Sequence, residues 1–284
     1  MKLIQTIKEL RAELDTLRKE GKSVGLVPTM GALHAGHASL VKRAVAENDV
    51  VVVSDFVNPT QFNDQNDLLK YPRTLEADCK LLDSCGVTFV FAPSVEEIYP
   101  EPDTRQFSYA PLDTVMEGKF RPGHFNGVCQ IVSKLFIIVE PDRAYFGEKD
   151  FQQLAIIREM VRKYPFNLQI VGCPIVREDD GLALSSRNAR LSSEQRTQAL
   201  QISKTLFASV EYAKAHTLAE TKAFVEKAIE EAEGLTIEYF EIVDGDTLQT
   251  VSEWNDSNYI VGCITVYCGE VRLIDNIKYK EHQS

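Results

Sequence analysis

Two histidines three positions apart, His34 and His37, carry the clearest chemical potential in this chain of 284 residues. They follow a short apolar run at 24–27 and a turn, and they precede apolar positions at helical spacing from residue 40 onward. Residues three apart share one side of a helix, so both imidazoles can face the free N–H groups and the positive dipole end of that helix. Gly36 lets a flat base or a phosphate approach the backbone closely. This order of strand, turn and helix start predicts a site for a nucleotide's phosphates.

Other interpretations of the histidine pair are open from these residues alone. A metal site would need an acidic or Cys ligand, and none stands nearby in sequence; the two could also be incidental surface residues. The spacing from Gly31 to Gly36 resembles a phosphate-binding loop, but His37 and Ala38 stand where that motif has Lys and Ser or Thr. The glycine fingerprint of dinucleotide-binding proteins is missing.

Cationic and hydroxyl side chains elsewhere suit phosphate oxygens. Lys149 lies in a turn after the apolar run 144–146, where it is either a mobile point charge for a triphosphate or a solvated surface lysine. The loop Leu184-Ser-Ser-Arg187-Asn188 offers two hydroxyls and a guanidinium. Such loops are common, so this segment alone predicts little.

Neutral amides form a third group. Asn58, Gln61 and Gln153 can hydrogen-bond a hydroxy acid, although each alone is more often a surface residue. Arg121-Pro-Gly-His124 is either a mobile basic loop or a turn.

Apolar runs that alternate with helical stretches must position these side chains. The runs 24–27, 50–53, 88–92, 144–146 and 169–176 lack polar alternation, which is typical of parallel strands covered on both faces. The segments between them, at 37–47, 73–85, 125–139 and 150–163, are long enough for crossover helices. We therefore predict an α/β fold with a doubly wound, Rossmann-like parallel sheet, in which ligands bind beyond the carboxyl ends of the strands. The polar clusters after three of these strands then converge for topological reasons.

The pattern changes after about residue 180. A polar turn at 178–181 and a capping-box sequence at 192–195 precede two helical patterns, at 192–215 and 218–233. Alternating strands follow near 235–243, 259–267 and 270–275. We predict a Rossmann-like domain at 1–176 and a smaller C-terminal α+β domain at 177–284, hinged near 177–184.

The composition of the chain argues against several classes of protein. A net charge of −11 argues against a nucleic-acid-binding surface. No apolar stretch is long enough to span a bilayer, so no membrane partner is expected. The first residues predict an amphipathic helix and not a signal peptide. The six cysteines form no Cys-x-x-Cys pair, which favours reduced thiols in a cytoplasmic protein.

Taken together, seven motifs closely resemble the pantothenate synthetase (pantoate–β-alanine ligase) family, ATP-dependent ligases of the pathway to coenzyme A. The resemblance spans nearly the whole chain, whereas His-x-Gly-His alone marks a wider nucleotidyltransferase superfamily. The matching stretches are Pro28-Thr-Met-Gly-Ala-Leu-His-Ala-Gly-His37, Phe56-Val-Asn-Pro-Thr-Gln-Phe62, Tyr71-Pro-Arg-Thr74, Arg121-Pro-Gly-His-Phe125, Phe146-Gly-Glu-Lys-Asp150 with Gln152-Gln153, Leu184-Ser-Ser-Arg-Asn188 and Arg272-Leu-Ile-Asp-Asn276.

The resemblance implies a two-step reaction. The carboxylate of (R)-pantoate attacks the α-phosphate of Mg-ATP, and the amine of β-alanine then attacks the resulting pantoyl adenylate. The implied substrates are therefore ATP with Mg²⁺, (R)-pantoate and β-alanine, with no tightly bound organic cofactor. The family also implies a homodimer. The adenylate must be kept from water, which suggests that the smaller domain or a loop closes over the ATP site.

Site residues are carried over by position. Gln61 and Gln153 hold pantoate, with Asn58 and Arg121 as further substrate contacts. No metal ligand is assigned, although Asp78 is a possible contact for magnesium. The expected catalytic residues are His37, the family's usual proton donor, with His34, Lys149, Ser186 and Arg187. The expected ATP contacts are Met30, Gly31, Ala32, Leu33, His34, Ala35, Gly36, His37, Gly147, Glu148, Lys149, Asp150, Val176, Leu184, Ser185, Ser186 and Arg187.

Two other functions remain as alternatives. Another His-x-Gly-His nucleotidyltransferase would keep the nucleotide in its product. A non-catalytic binding module would retain the fold without turnover. A tRNA synthetase fragment is disfavoured because no basic or anticodon-binding region is evident.

Overall fold

The computed structural model describes residues 1–282, which form two compact units. The first unit comprises Met1–Tyr109, Gly118–Glu148 and Gln153–Pro174. The second comprises Ala110–Glu117, Lys149–Gln152 and the residues from Ile175 onward. The second unit thus takes two short segments from within the predicted first domain. The closing role predicted for residues 177–284 stays a prediction.

The first unit contains a six-stranded sheet in which all described pairings are parallel. Its valine-rich strands are buried on both faces, as the runs without polar alternation predict. All five predicted strands are present as β2 to β6. The strands are β1 (Lys2–Ile4), β2 (Val24–Thr29), β3 (Val50–Asp55), β4 (Phe89–Phe91), β5 (Arg143–Gly147) and β6 (Gln169–Cys173).

The order of the strands in the sheet determines which of the loops that follow them are neighbours. The order is β1-β4-β3-β2-β5-β6, so the chain winds outward from β2 to one side and then returns to β5 on the other. The topological switch point lies between β2 and β5, which pair in parallel with Gly25 opposite Arg143. Ligands of doubly wound sheets bind outside the carboxyl ends of the strands at this point. Because the two strands run in the same direction, β2 and β5 end at the same edge of the sheet, at Thr29 and Gly147.

Helices connect these strands. Longer helices have the apolar faces that the sequence predicts, and the short ones lie in loops. They are α1 (Ile7–Lys19), α2 (Ala35–Glu47), α3 (Gln65–Lys70), α4 (Leu75–Ser84), α5 (Val95–Ile98), α6 (Met116–Phe120), α7 (His124–Val139) and α8 (Phe151–Lys163).

The prediction that a helix opens at the first residues was wrong. Lys2 to Ile4 instead form an edge strand paired with β4. The helix begins at Ile7, after Thr6 caps it by accepting a hydrogen bond from the Glu9 N–H at 3.3 Å. Leu3 and Ile7 sit at helical spacing by coincidence, since they belong to different elements.

The second unit confirms the predicted small α+β fold. Its antiparallel strands are β7 (Leu235–Asp244), β8 (Ile260–Cys268) and β9 (Val271–Lys280), with β8 in the centre. Helices α9 (Ser193–Ala213) and α10 (Leu218–Glu230) bury their apolar sides with this sheet in one core. The predicted capping box at Ser192 and Gln195 is confirmed.

The structure also bears on the expectations about the state of the cysteines and about membrane-spanning segments. All six cysteines lie within the described residues as free thiols, and five of them are buried. Within residues 1–282, no helix combines the length and the apolar character needed to cross a membrane.

Candidate active site

The turn between β2 and α2 is shaped by a glycine. Gly31 has a φ of +76°, and a Cβ there would lie 2.4 Å from Oδ1 of Asp55. Thr29 steadies the turn, because its hydroxyl accepts the Gly31 N–H at 3.3 Å and donates to the Ser54 carbonyl at 2.6 Å. Only a residue without a side chain fits this close approach without displacing the Asp55 carboxyl.

Asp78 holds the next part of the turn. Its carboxylate accepts the backbone N–H groups of Ala32 at 2.9 Å and Leu33 at 2.8 Å, and the hydroxyl of Thr74 at 3.0 Å. Asp78 is 2% exposed as a residue and lies in the first turn of α4, whose positive dipole end favours a negative charge. Asp78 therefore fixes the backbone that leads into the two histidines.

Asp55 is a second carboxyl behind the same turn. It ends β3, and burial, followed by the nearby charge of Asp78, raises its pKa from 3.8 to about 7. Its Oδ2 is buried without a hydrogen-bond partner in the structure. Two adjacent carboxyls in a poorly solvated place disfavour a second negative charge.

His34 and His37 begin α2. His34 is its N-cap and His37 its third residue, and together they form a capping box. Nδ1 of His34 accepts the Gly36 N–H at 3.1 Å, and Nδ1 of His37 accepts the His34 N–H at 3.3 Å. Because an accepting nitrogen carries no hydrogen, these bonds assign the hydrogen of each neutral ring to Nε2. The ring centroids are 4.1 Å apart, so two Nε2–H donors lie together at a helix N-terminus.

Gln61 lies at the end of a 3₁₀ turn, Pro59–Gln61, after β3. Its amide nitrogen donates to the Met30 sulfur at 3.0 Å, and its oxygen accepts from Asn58 at 3.2 Å. The carbonyl of Gln61 lies 2.8 Å from Nδ1 of His124. Helix α7 approaches this turn so closely that a Cβ on Gly127 would lie 2.3 Å from the Thr60 carbonyl oxygen. Gln61 is thereby held beside the turn that bears the histidines.

Asn58 is buried at 1% exposure, and its side chain is engaged within the protein. It donates to Gln61 and to the Gly127 carbonyl, and it accepts from the hydroxyls of Tyr99 and Thr60. This arrangement suits support of Gln61, and a direct substrate contact of Asn58 stays a prediction.

The remaining predicted residues of the first unit lie at separate places. Gly147 is the last residue of β5, and Glu148 follows it. Arg121 lies in the turn between α6 and α7, and Gln153 lies half-buried in α8. Their contacts with a substrate stay predictions.

The second unit holds the predicted lysine and the serine–arginine loop. Lys149 has a side chain 18% exposed, and its ammonium lies 3.9 Å from the Asp150 carboxylate. Val176 and Leu184 share a backbone hydrogen bond of 3.0 Å. Ser185 caps the 3₁₀ turn Ser186–Arg190, because its hydroxyl accepts the Arg187 N–H at 3.2 Å.

Sequence reasoning missed several residues that organise these segments. Gln152, 4% exposed, accepts the Glu117 N–H at 3.0 Å and donates to the Leu112 and Val115 carbonyls. Its only sequence signal is its place beside Gln153 in one of the resembling motifs. The loop-holding role of Asp78 and the carboxyl of Asp55 had no local signal.

Within the described residues, no group of three or more His, Cys, Asp or Glu side chains is arranged to hold a metal ion. The oxygens of Asp78 are occupied by two N–H groups and a hydroxyl. These bonds engage the Asp78 carboxylate with the turn, and its contact with magnesium stays a prediction.

Comparison with known proteins identifies the family. The family model described as pantoate-beta-alanine ligase matches residues 2–278. A pantothenate synthetase of Phocaeicola vulgatus is 79% identical over 281 residues, which cover 99% of this chain and 100% of that protein. A pantothenate synthetase of Porphyromonas gingivalis is 58% identical with the same coverage of both chains.

Similar solved structures belong to the same family. The crystal structure of pantothenate synthetase from Thermus thermophilus has a TM-score of 0.93 and 46% identity, covering 99% of this chain and 100% of that chain. The pantoate-beta-alanine ligase of Francisella tularensis, solved in complex with beta-gamma ATP and beta-alanine, has a TM-score of 0.80 and 37% identity, with 98% of both chains covered. The chain belongs to the pantoate–β-alanine ligase family.

Proposed function

We propose that this ligase condenses (R)-pantoate with β-alanine in two steps driven by ATP. In the first step the pantoate carboxylate attacks the α-phosphate, which gives pantoyl adenylate and releases pyrophosphate. In the second step the β-alanine amine attacks the acyl carbon, which gives pantothenate and releases AMP. Membership of the family supports this reaction, as does the Francisella tularensis relative described with an ATP compound and β-alanine.

The observation that carries the proposal is the histidine pair at the start of α2. Both Nδ1 atoms accept backbone hydrogen bonds, so each neutral ring keeps an Nε2–H donor. The pantoate carboxylate is already ionised at neutral pH, so adenylation needs no general base. It needs donors for the charge that develops on the α-phosphate and on pyrophosphate, and the histidines supply them.

Three further residues are assigned to the triphosphate by their chemistry. Lys149 provides a mobile cation, Arg187 a guanidinium and Ser186 a hydroxyl, all of which bind phosphate oxygens. Half-buried positions of all three support this assignment, because such side chains are partly shielded from water. The backbone pair of Val176 and Leu184 is assigned to the nucleotide on the family resemblance.

Mg²⁺ enters this scheme as part of the Mg-ATP substrate. The bonds already made by Asp78 and the lack of a ligand cluster within residues 1–282 favour coordination by phosphate oxygens and water. Magnesium commonly keeps several waters and binds through substrate phosphates.

Gln61 and Gln153 are assigned to pantoate, with Gln61 also near β-alanine. The buried contacts of Gln61 with Asn58 and Met30 support a fixed amide, which is what recognition of a hydroxy acid requires. Arg121 is assigned as a further substrate contact on the resemblance alone.

A homodimer in the cytoplasm is part of the same proposal. Free thiols at all six cysteines are typical of a reducing compartment and support the location. Light scattering coupled to size-exclusion chromatography would measure the oligomeric state.

Two assays test the proposed function. AMP formation should require ATP, pantoate and β-alanine together, and ATP–pyrophosphate exchange should require pantoate but not β-alanine. Exchange that ignores pantoate would favour another nucleotidyltransferase, and its complete absence would favour a binding module.

A further inference from the structure

Three polar residues on β9 are unusual for their burial. Arg272, Asp275 and Asn276 belong to the last strand of the chain, and the side chains of Arg272 and Asp275 are 18% and 4% exposed. Asn276 is 3% exposed as a residue. Burial of polar groups is unfavourable unless partners satisfy them. Each of the three finds its partner in a different segment of the second unit.

Arg272 and Asp275 make paired contacts. Arg272 donates to both oxygens of Glu117 at 2.7 Å. Asp275 accepts two hydrogen bonds from Arg177, at 2.6 and 2.8 Å. Arg177 also donates to the Gly181 carbonyl at 3.2 Å, within the short polar turn before the serine–arginine loop. β9 packs against the 3₁₀ turn Ser186–Arg190 as well.

Asn276 contacts the segment that contains Lys149. Its side-chain amide donates to the Lys149 carbonyl at 3.0 Å, across 127 positions of sequence. Its own N–H donates to Asp275 at 2.8 Å, so the carboxylate that binds Arg177 also braces the asparagine. The segment with the predicted phosphate-binding lysine and the turn that precedes Ser185 are thus tied to two adjacent residues of one strand.

Stability alone does not explain these bonds. Replacing a buried ion pair by well-packed apolar residues is often neutral or even stabilising, so such pairs are weak evidence for a stabilising role. Fixed geometry is the better explanation, because phosphate chemistry depends on placing charges to within about 1 Å.

We propose that Asn276 is a positioning residue for Lys149, and that it acts by holding the Lys149 backbone through its carbonyl. This inference rests on the proposed function only in the role given there to Lys149. Asp275 supports the same arrangement by bracing Asn276 and by holding Arg177.

The test is a double-mutant cycle in pantoate-dependent ATP–pyrophosphate exchange. Asn276→Ala should lower the exchange rate at saturating ATP by about 10–100-fold, because a misplacement of about 1 Å can cost 100-fold in rate. The KM for ATP should change less than the rate. Asn276→Ala should have little further effect in a Lys149→Ala background, since it acts through that lysine. Asn258→Ala, at an exposed asparagine of the same unit, is the matched control.

A second measurement does not need activity. The carbonyl that Asn276 holds belongs to the Lys149–Asp150 peptide bond, which trypsin can cleave. Mass spectrometry of timed digests should show faster cleavage there in Asn276→Ala, and in the similarly sized Asn276→Asp, than in the wild type or the control variant. The circular dichroism spectra of both variants would first be compared with that of the wild type. The variant whose spectrum is closer to the wild type would then be used for the digests and the rate measurements.

The outcomes separate the two proposals. Independent, multiplicative rate losses in the double mutant, or unchanged cleavage after Lys149, would overturn the positioning role while the proposed function stands. An unchanged exchange rate in Lys149→Ala would remove the role proposed for the lysine, and the inference about Asn276 with it.

Discussion

Asp55 gives this protein a pH-dependent weakness that one substitution should remove. Its carboxyl is partly buried behind the Gly31 turn, with Oδ2 shielded from solvent, and lies beside Asp78; both features favour the neutral acid. Its pKa is raised from 3.8 to about 7 in the folded protein. Between these values the folded state keeps a proton that the unfolded chain releases. The contribution of Asp55 to the free energy of unfolding therefore falls as the pH rises from about 4 to about 7.

The size of this effect follows from the same values. At about 1.4 kcal/mol per pH unit, the interval from 3.8 to about 7 corresponds to an upper value of roughly 4 kcal/mol. Relaxation around an ionised Asp55 and partial hydration reduce this, and we expect about 2 kcal/mol. An asparagine has nearly the same shape as the neutral acid and never ionises. The stability difference between Asp55→Asn and the wild type should thus be smallest at pH 4.5 and should reach about 2 kcal/mol in favour of the variant at pH 8, or roughly 4–8 °C in Tm.

Thermal and urea unfolding at pH 4.5, 6 and 8 would measure this difference. The comparison of variant with wild type at each pH cancels contributions from other titrating groups. Asp15→Asn, at an exposed aspartate of α1, controls for the loss of one negative charge. If the stability difference between Asp55→Asn and wild type were the same at all three pH values, Asp55 would not titrate in this range. The account of the two carboxyls behind the turn would then be wrong.

Three further expectations concern the site. His37→Ala should slow single-turnover adenylate formation by about 100–1,000-fold, the typical value of one positioned donor, with a smaller effect on ATP affinity; a rate within a few-fold of wild type would contradict its role. Gly31→Ala should destabilise the protein more than Gly21→Ala. Both glycines have φ near +77°, but only at Gly31 would the new methyl group meet the Asp55 carboxyl; equal losses in urea unfolding would show that this contact is unimportant. ATP with pantoate should change the small-angle scattering profile if the smaller domain closes, and identical profiles would count against closure.

Much of the parallel sheet could be predicted because its strands carry their own signal. Runs such as 24–27 and 50–53 are apolar without alternation, and that pattern depends on burial on both faces more than on any particular partner. The short strand β1 had no such signal. Three residues are too few for a period, and its partner β4 lies more than 80 positions away along the chain.

The same distinction holds for the site: features set by neighbouring residues could be predicted, and contacts between distant residues could not. The histidine turn could be predicted because glycine, histidine and a helix start are adjacent in sequence. The carboxyl of Asp78, which holds that turn, lies 46 positions from Ala32, and the bond of Asn276 to Lys149 spans 127 positions. Nothing in the neighbourhood of either residue reveals such a partner. Long-range hydrogen bonds between a side chain and a backbone group leave no periodic pattern to read.

The spacing of the two histidines follows from helix capping as much as from chemistry. Capping boxes also precede helices α9 and α10. Ser192 is the N-cap of α9 and Gln195 its third residue, and Thr217 and Glu220 take the same two positions in α10. His34 and His37 occupy these same two positions in α2. In the cap each imidazole uses one ring nitrogen and has a second nitrogen on the far side of its ring. A spacing of three therefore satisfies the backbone through Nδ1 and directs Nε2–H away from the cap. Replacing either histidine removes a cap and a donor together, so the loss of rate should be accompanied by a loss of stability of about 1 kcal/mol.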